Sequence, residues 1–291
     1  MSVKNVEMVL APRAPHYVGD GFRVHNFIPS GYGLTMQRMD PFIFLDYASK
    51  FHFPPSPFKP KGVGVHPHRG FETVTIAYNG SVAHHDSGGG GGVIQQGAVQ
   101  WMTAASGVLH KEYHSEEFSK TGGYFQMVQL WVNLPAKDKM STPKYQAIQN
   151  ASIPKVPVEG GFIEVIAGEY NSQKGAASTF SPVNMLNAKL EKGGEATIQF
   201  PSHYNTCVLV IEGEVIINGT EDVPLDHFAL MANEGVSFTI KATEKSIVLI
   251  LSGEPLNEPI ASHGPFVMNT REQIMEAFQD YELGKFGILE D

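Results

Sequence analysis

The chain has 291 residues, 42% of them apolar and only 18% charged, and it carries 30 glycines and 19 prolines. That composition supplies ample core and excludes both a disordered chain and an all-helical bundle. With 21 basic against 30 acidic residues the net charge is −9, a field that repels phosphate backbones and anionic lipid, so direct nucleic-acid and membrane partners are disfavoured. No run approaches the roughly 18 apolar residues of a membrane helix. A single cysteine, Cys207, and a start, MSVKNVEMVLAPRAPH, without an apolar segment after a basic one predict a soluble cytoplasmic protein with no internal disulfide.

Short apolar runs bounded by Gly, Pro, Asn and Asp recur along the chain, which predicts an all-β protein. FETVTIAY (71–78) followed by Asn79-Gly80 predicts a hairpin with the run from Ser81 to His84, and Asn218-Gly219 repeats the design after two further runs. The pentaglycine 88–92 predicts a flexible loop between strands; with no Lys-Ser/Thr after it, it is no phosphate loop. The Pro-rich, polar stretch LPAKDKMSTPKYQAIQNASIPKVPVEGG predicts a boundary near 140. GAVQWMTAASGVLHKE (97–112) lies on LDHFALMANEGVSFTI (225–240) at a constant offset of 128, placing Gly107 on Gly235, so two related β units are expected. The expected division is 1–140, 141–265 and a tail, 266–291. In the tail, Thr270 to Gln273 spells a capping box, and Ile274, Phe278 and Tyr281 fall on one face of a short helix packing on a barrel.

Seven of the 12 histidines (52, 66, 68, 84, 85, 110 and 114) fall between positions 52 and 114, where proportional sharing gives about three. In an extended chain His66, His68, Gly70 and Glu72 face one side, and His110 and Glu112 share a face in the same way. Imidazole and carboxylate at these spacings suit a divalent transition metal, and the absence of cysteine argues against a structural zinc site. Spacing alone leaves Glu72 and Glu112 both open as the carboxylate ligand. His84 and His85, being adjacent, point to opposite faces and read as loop or solvent histidines. The second unit has no such cluster: at the 128 offset His110 meets Phe238 and Glu112 meets Ile240, His203 stands alone as a surface residue, and Cys207 reads as a buried, inert thiol.

The string GVGVHPHRGFETVTIAYNG resembles the first cupin motif, and HPHRGFETVTIAYNGSVAHHDS followed by GAVQWMTAASGVLHKEYH closely resembles the pirin family, with echoes in MDPFIFLDYA and GEPLNEPIASHGPFVMNT. The resemblance implies a bicupin: two antiparallel β-barrels of jelly-roll type, the N-terminal one holding one metal on His66, His68, His110 and Glu112, with Glu72 orienting a ligand imidazole from behind. It implies quercetin 2,3-dioxygenase chemistry on a flavonol or a related enolisable or catecholic aromatic, with dioxygen as co-substrate and Glu112 as base. Iron is the expected metal, with manganese, nickel, cobalt, copper and zinc compatible with the ligand set. The alternative is a metal- or redox-dependent regulatory protein that binds another protein. Phe51, Phe53, Val74, Ile76, Trp101 and Met102 are the expected apolar wall of the substrate pocket. Ala98 stands where pirins usually carry Asp.

Overall fold

The computed structural model describes residues 2–30 and 33–290, and they are organised as antiparallel sheets with three short helices, Met36–Met39, Glu116–Thr121 and Arg271–Glu282. None of these helices is long and apolar enough to cross a membrane. The chain divides into two compact units, one made of Ala14–Gln37, Phe42–Asn150 and Leu256–Asp291, the other of Met1–Arg13, Arg38–Pro41 and Ala151–Pro255. The division in the structure falls about ten residues later at the middle, the first 13 residues group with the second unit, and the segment expected as a separate tail groups with the first. Pairing explains the exchange. Val6–Leu10 lies antiparallel on Phe228–Met231, whereas the C-terminal segment returns to the first unit, where the backbone N–H of Val267 donates to the carbonyl of Arg69.

In the first unit a seven-stranded sheet runs in the order Lys144–Ile148, Val99–Thr103, Phe71–Asn79, Gly123–Asn133, Phe42–Phe53, Phe22–Ile28 and His16–Val18. A four-stranded sheet of Gly62–His68, Val108–His114, Val82–Asp86 and Gly91–Ile94 faces it. Strand Val108–His114 alternates strictly, with Val108, His110, Glu112 and His114 buried, the pattern of a strand with one face turned to an interior. Asn79-Gly80 does not close a hairpin here. Phe71–Asn79 pairs with strands of the seven-stranded sheet and Val82–Asp86 with the other sheet, so this turn carries the chain across the sandwich. Asn218-Gly219 does close one, between Val215–Ile217 and Glu221–Val223, with both turn residues at positive φ (54° and 73°) as a two-residue hairpin requires.

The chain also changes sheets at Arg69-Gly70, between strands Gly62–His68 and Phe71–Asn79. Gly70 has φ +91°, and a Cβ there would stand 1.9 Å from the carbonyl oxygen of Val267. Lys139, buried, donates from Nζ to the carbonyls of Gly70 (2.6 Å) and Val267 (3.0 Å) and to Asn133 Oδ1 (2.6 Å), fixing the corner. Gly70→Ala is therefore expected to cost about 3 kcal/mol in urea denaturation, from a strained φ and a clash with rigid backbone. A loss below about 0.5 kcal/mol would show the corner to be soft.

The second unit is built on one nine-stranded sheet in which Val183–Gln199 pairs with Ser246–Gly253, Ser237–Ala242 and Lys155–Ala167. Its interior is a continuous aliphatic cluster that includes Ile163, Leu186, Val208, Val248 and, at the positions matched to His110 and Glu112, Phe238 and Ile240. Apolar burial occupies the space where the first unit places polar side chains. His203 is exposed, 3.7 Å from Glu254, and Cys207 is buried, which pushes its thiol pKa well up.

The terminal helix has the expected capping box: Thr270 Oγ1 accepts from the Gln273 N–H, and the Gln273 side chain returns to the Thr270 N–H. It buries Ile274, Ala277 and Asp280, while Phe278 is partly buried and Tyr281 is exposed. Asp280 sets this rotation, because its carboxylate takes Arg69 Nη2 at 2.9 Å and Lys285 Nζ at 2.6 Å.

Candidate metal centre

Strands Gly62–His68 and Val108–His114 lie antiparallel with His66 opposite His110, and a bulge then places Glu112 opposite Val63. Local i, i+2 spacing and one register therefore bring three imidazoles together. Ring centroids are 4.2 Å apart for His66 and His110, 4.7 Å for His68 and His110, and 4.9 Å for His66 and His68. One potential ligand atom from each of the three lies within 4.8 Å of the others; Glu112 and His110 form a second such group with His84. The Glu112 carboxylate is buried and accepts from Thr75 Oγ1 (3.2 Å) and Gln129 Nε2 (3.4 Å).

The ring nitrogens are disposed for ligation. His66 Nδ1 donates to the Gly64 carbonyl (2.8 Å) and His68 Nδ1 to that of Pro265 (3.3 Å), which leaves a lone pair on each Nε2. Burial first, then the neighbouring imidazoles, hold His68 and His110 well below the ordinary histidine pKa, so both are neutral at pH 7. His110 Nε2 is buried without a hydrogen-bond partner. A buried orphan nitrogen costs about 1–3 kcal/mol unless something fills its lone pair. Three imidazoles and a carboxylate are the donor set of a borderline divalent ion, so these residues fit a transition metal.

A cavity of about 380 Å³ opens onto His66, His68 and Glu112. Its wall is largely apolar, with Phe22, Phe44, Val63, Met127 and Trp131, and Asp46 and Gln129 supply further polar groups. Burial raises the Asp46 carboxyl pKa, and Asn26 Nδ2 donates to its Oδ1 at 2.9 Å. None of the six expected wall residues lines this cavity. Thr75 reaches Glu112, so the odd positions of Phe71–Asn79 face inward; Val74 and Ile76 point the other way, as does Trp101 opposite Val74. Met102 packs with Ala104, Val108 and Tyr145, and Phe51 and Phe53 belong to the cluster around Phe22, Phe118 and Phe125.

Glu72 is also displaced from its expected role, because the sheet change at Gly70 breaks the parity that linked it to His66 and His68. It sits opposite Thr103, on the face that carries Val74, and its Oε1 accepts from Thr103 Oγ1 at 2.7 Å. No imidazole bonds to it among the described residues. Burial raises its pKa to about 7. A carboxyl with a raised folded-state pKa stabilises the fold fully below its unfolded value of 4.5, and that contribution disappears as pH rises through about 7. Glu72→Gln is accordingly expected to match wild type in urea denaturation at pH 4 and to exceed it by about 3 kcal/mol at pH 9. Equal stabilities at pH 9 would show that the carboxylate ionises there without penalty.

His84 is the residue the spacing argument missed. It is fully buried and faces the cluster, whereas His85 is exposed. Its Nδ1 lies 3.4 Å from His110 Nδ1 and 3.9 Å from Glu112 Oε1, and its ring stacks on Tyr145. The i, i+2 pair of His84 and Asp86, both buried, was the available signal. The pentaglycine beside them is held in place, since the N–H groups of Gly88 and Gly90 donate to Asp86 Oδ1 at 2.8 and 2.9 Å.

Two β units, one carrying a buried histidine-carboxylate cluster and the other an aliphatic core, make this a bicupin. Residues 21–132 match the family model "Pirin" and residues 185–287 the model "Pirin C-terminal cupin domain". The chain belongs to the pirin family. It is 48% identical over 273 residues (93% of this chain, 94% of the relative) to a Pseudomonas aeruginosa protein named "Putative quercetin 2,3-dioxygenase PA2418", and 37% identical over 275 residues (92% and 89%) to pirin of Rattus norvegicus. The crystal structure of quercetin 2,3-dioxygenase from Acinetobacter baumannii superposes with a TM-score of 0.93 at 50% identity, covering 99% of this chain and 100% of that one.

Proposed function

We propose that the chain is a metal-dependent dioxygenase of pirin type that opens the heterocyclic ring of a flavonol such as quercetin, or cleaves a related enolisable or catecholic compound, in the cytoplasm. The carrying observation is the apolar cavity whose polar groups converge on His66, His68 and Glu112. The likeness to the Acinetobacter baumannii enzyme supports the substrate class.

His66, His68, His110 and Glu112 would hold one divalent transition metal, with iron the first choice. When bound, such an ion supplies Lewis acidity toward an enolate oxygen and the one-electron chemistry that lets dioxygen attack a closed-shell aromatic. The protein's own part is positioning and proton handling. A planar aromatic enters against Phe44 and Trp131, whose rings stack at 4.5 Å, and its acidic hydroxyl comes up to the Glu112 carboxylate. Gln129 Nε2 donates to Glu112 Oε2, and Thr75 Oγ1, which shares its one hydrogen between Gln129 Oε1 and Glu112 Oε1, lies by the other oxygen, which leaves lone pairs to take that proton. The apolar wall excludes water and so strengthens each polar contact inside. Overall, flavonol and dioxygen give a ring-opened ester and carbon monoxide.

Iron(II)-loaded protein incubated with quercetin in air is expected to bleach the flavonol absorbance and release carbon monoxide in equal amount to substrate consumed. Stoichiometric metal with neither signal would favour the non-enzymatic reading, a metal-dependent regulator that binds another protein.

A further inference from the structure

The Nδ1 edge of His110 meets a second string of buried polar groups, all in the first unit. His110 Nδ1 lies 3.4 Å from His84 Nδ1, His84 Nε2 lies 3.4 Å from Asp86 Oδ2, and Asp86 Oδ1 takes the N–H groups of Gly88 and Gly90. With two backbone N–H groups on Oδ1, the Asp86 carboxyl is held as an acceptor, and His84 is the partner of its Oδ2.

Which nitrogen carries each hydrogen follows from this network. His84 Nε2 faces the accepting Asp86 carboxyl and so carries a hydrogen, while the amide Nε2 of Gln100, which can only donate, lies 3.0 Å from His84 Nδ1, so Nδ1 presents its lone pair. The same lone pair faces His110 Nδ1. Were His110 also to present a lone pair there, two would confront each other in a space closed to water, where such repulsion is little screened. The His110 hydrogen therefore sits on Nδ1, and its partnerless Nε2 is left free as an electron-pair donor.

We infer that Asp86 and His84 are positioning residues that fix the tautomer and orientation of His110, extending the usual carboxylate-histidine support of a metal ligand by one imidazole. The inference rests on the metal reading of the cluster. His66 and His68 have their Nδ1 hydrogens held by backbone carbonyls. His110 alone is backed by a string that ends on a carboxylate, which makes it the most electron-rich of the three donors. An amide at 86 carries no charge and can turn its NH2 toward His84, which reverses both tautomers and places a hydrogen on His110 Nε2, where it blocks ligation.

The test uses the full chain and two readouts: long-range 15N–1H spectra of the histidine rings in metal-free protein, and zinc(II) affinity by competition with a chromophoric chelator. Wild type should show His110 with its hydrogen on Nδ1. Asp86→Asn and His84→Gln should lose that pattern and weaken zinc binding about 10- to 100-fold, while His85→Gln, on the exposed side, should change neither. The inference is overturned if wild-type His110 carries its hydrogen on Nε2, or if Asp86→Asn leaves both pattern and affinity intact. Wild type that shows the Nδ1 pattern but binds no zinc would overturn the metal reading, while the tautomer assignment would stand.

Discussion

Glu112→Gln is expected to abolish flavonol turnover, whereas Glu72→Gln keeps bound metal and activity near wild type. Glu112 lines the cavity, lies with His110 in a ligand-sized group and keeps lone pairs for a substrate proton. The amide would withdraw the negative charge from the donor set and the base from the reaction together, so a loss of at least about 1000-fold is expected from combining a proton-transfer contribution of 10²–10⁴ with weaker metal retention. Glu72 bonds to Thr103 on the opposite face of its strand, so its amide variant should act on stability at high pH and leave the chemistry alone. Complete loss in Glu72→Gln with Glu112→Gln near wild type would mean that the carboxylate of the first cupin motif is the one the site uses.

The second large effect is expected from His110→Ala: metal affinity falls by more than about 100-fold while the far-ultraviolet circular dichroism spectrum stays that of wild type. His110 belongs to both ligand-sized groups, so no set of the described residues around the cavity is complete without it. Truncating a fully buried ring leaves a cavity costing about 2–4 kcal/mol, but it also removes an orphan nitrogen. The barrel itself rests on apolar clusters such as that of Phe22, Phe53, Phe118 and Phe125, so the fold should survive. An unfolded variant would make the site structural. Undiminished affinity would place the metal elsewhere.

The cluster could be read from the sequence because His66 with His68, and His110 with Glu112, are local i, i+2 pairs whose shared face needs no knowledge of the fold. What remained hidden depended on pairing. The parity that joins Glu72 to His66 holds only within one strand, and the chain leaves its sheet at Gly70. The same parity reversal removes Val74, Ile76 and Trp101 from the cavity, whose walls come instead from Phe44, Met127 and Trp131 on strands distant in sequence. Asn79-Gly80 carries the sequence of a hairpin turn but joins strands in different sheets. For His84 and His85, adjacency shows only that one faces in; the second buried residue, Asp86, identifies which. The related second unit was legible because the 128 offset brings Val108–His114 onto Ser237–Ala242, and its lack of ligands because Phe238 and Ile240 are apolar. That the first strand pairs in the second unit is not legible, because strand exchange leaves no local signature.

The proposed dioxygenase needs one transition metal on His66, His68, His110 and Glu112. Anomalous diffraction from crystals of iron-loaded protein, collected on both sides of the iron edge, tests it most directly. One peak per chain is expected, within bonding distance of these three imidazoles and the Glu112 carboxylate, and none in the second unit. A peak on His84, His110 and Glu112 that leaves His66 and His68 unbound, or a second full peak among residues 151–255, would contradict it.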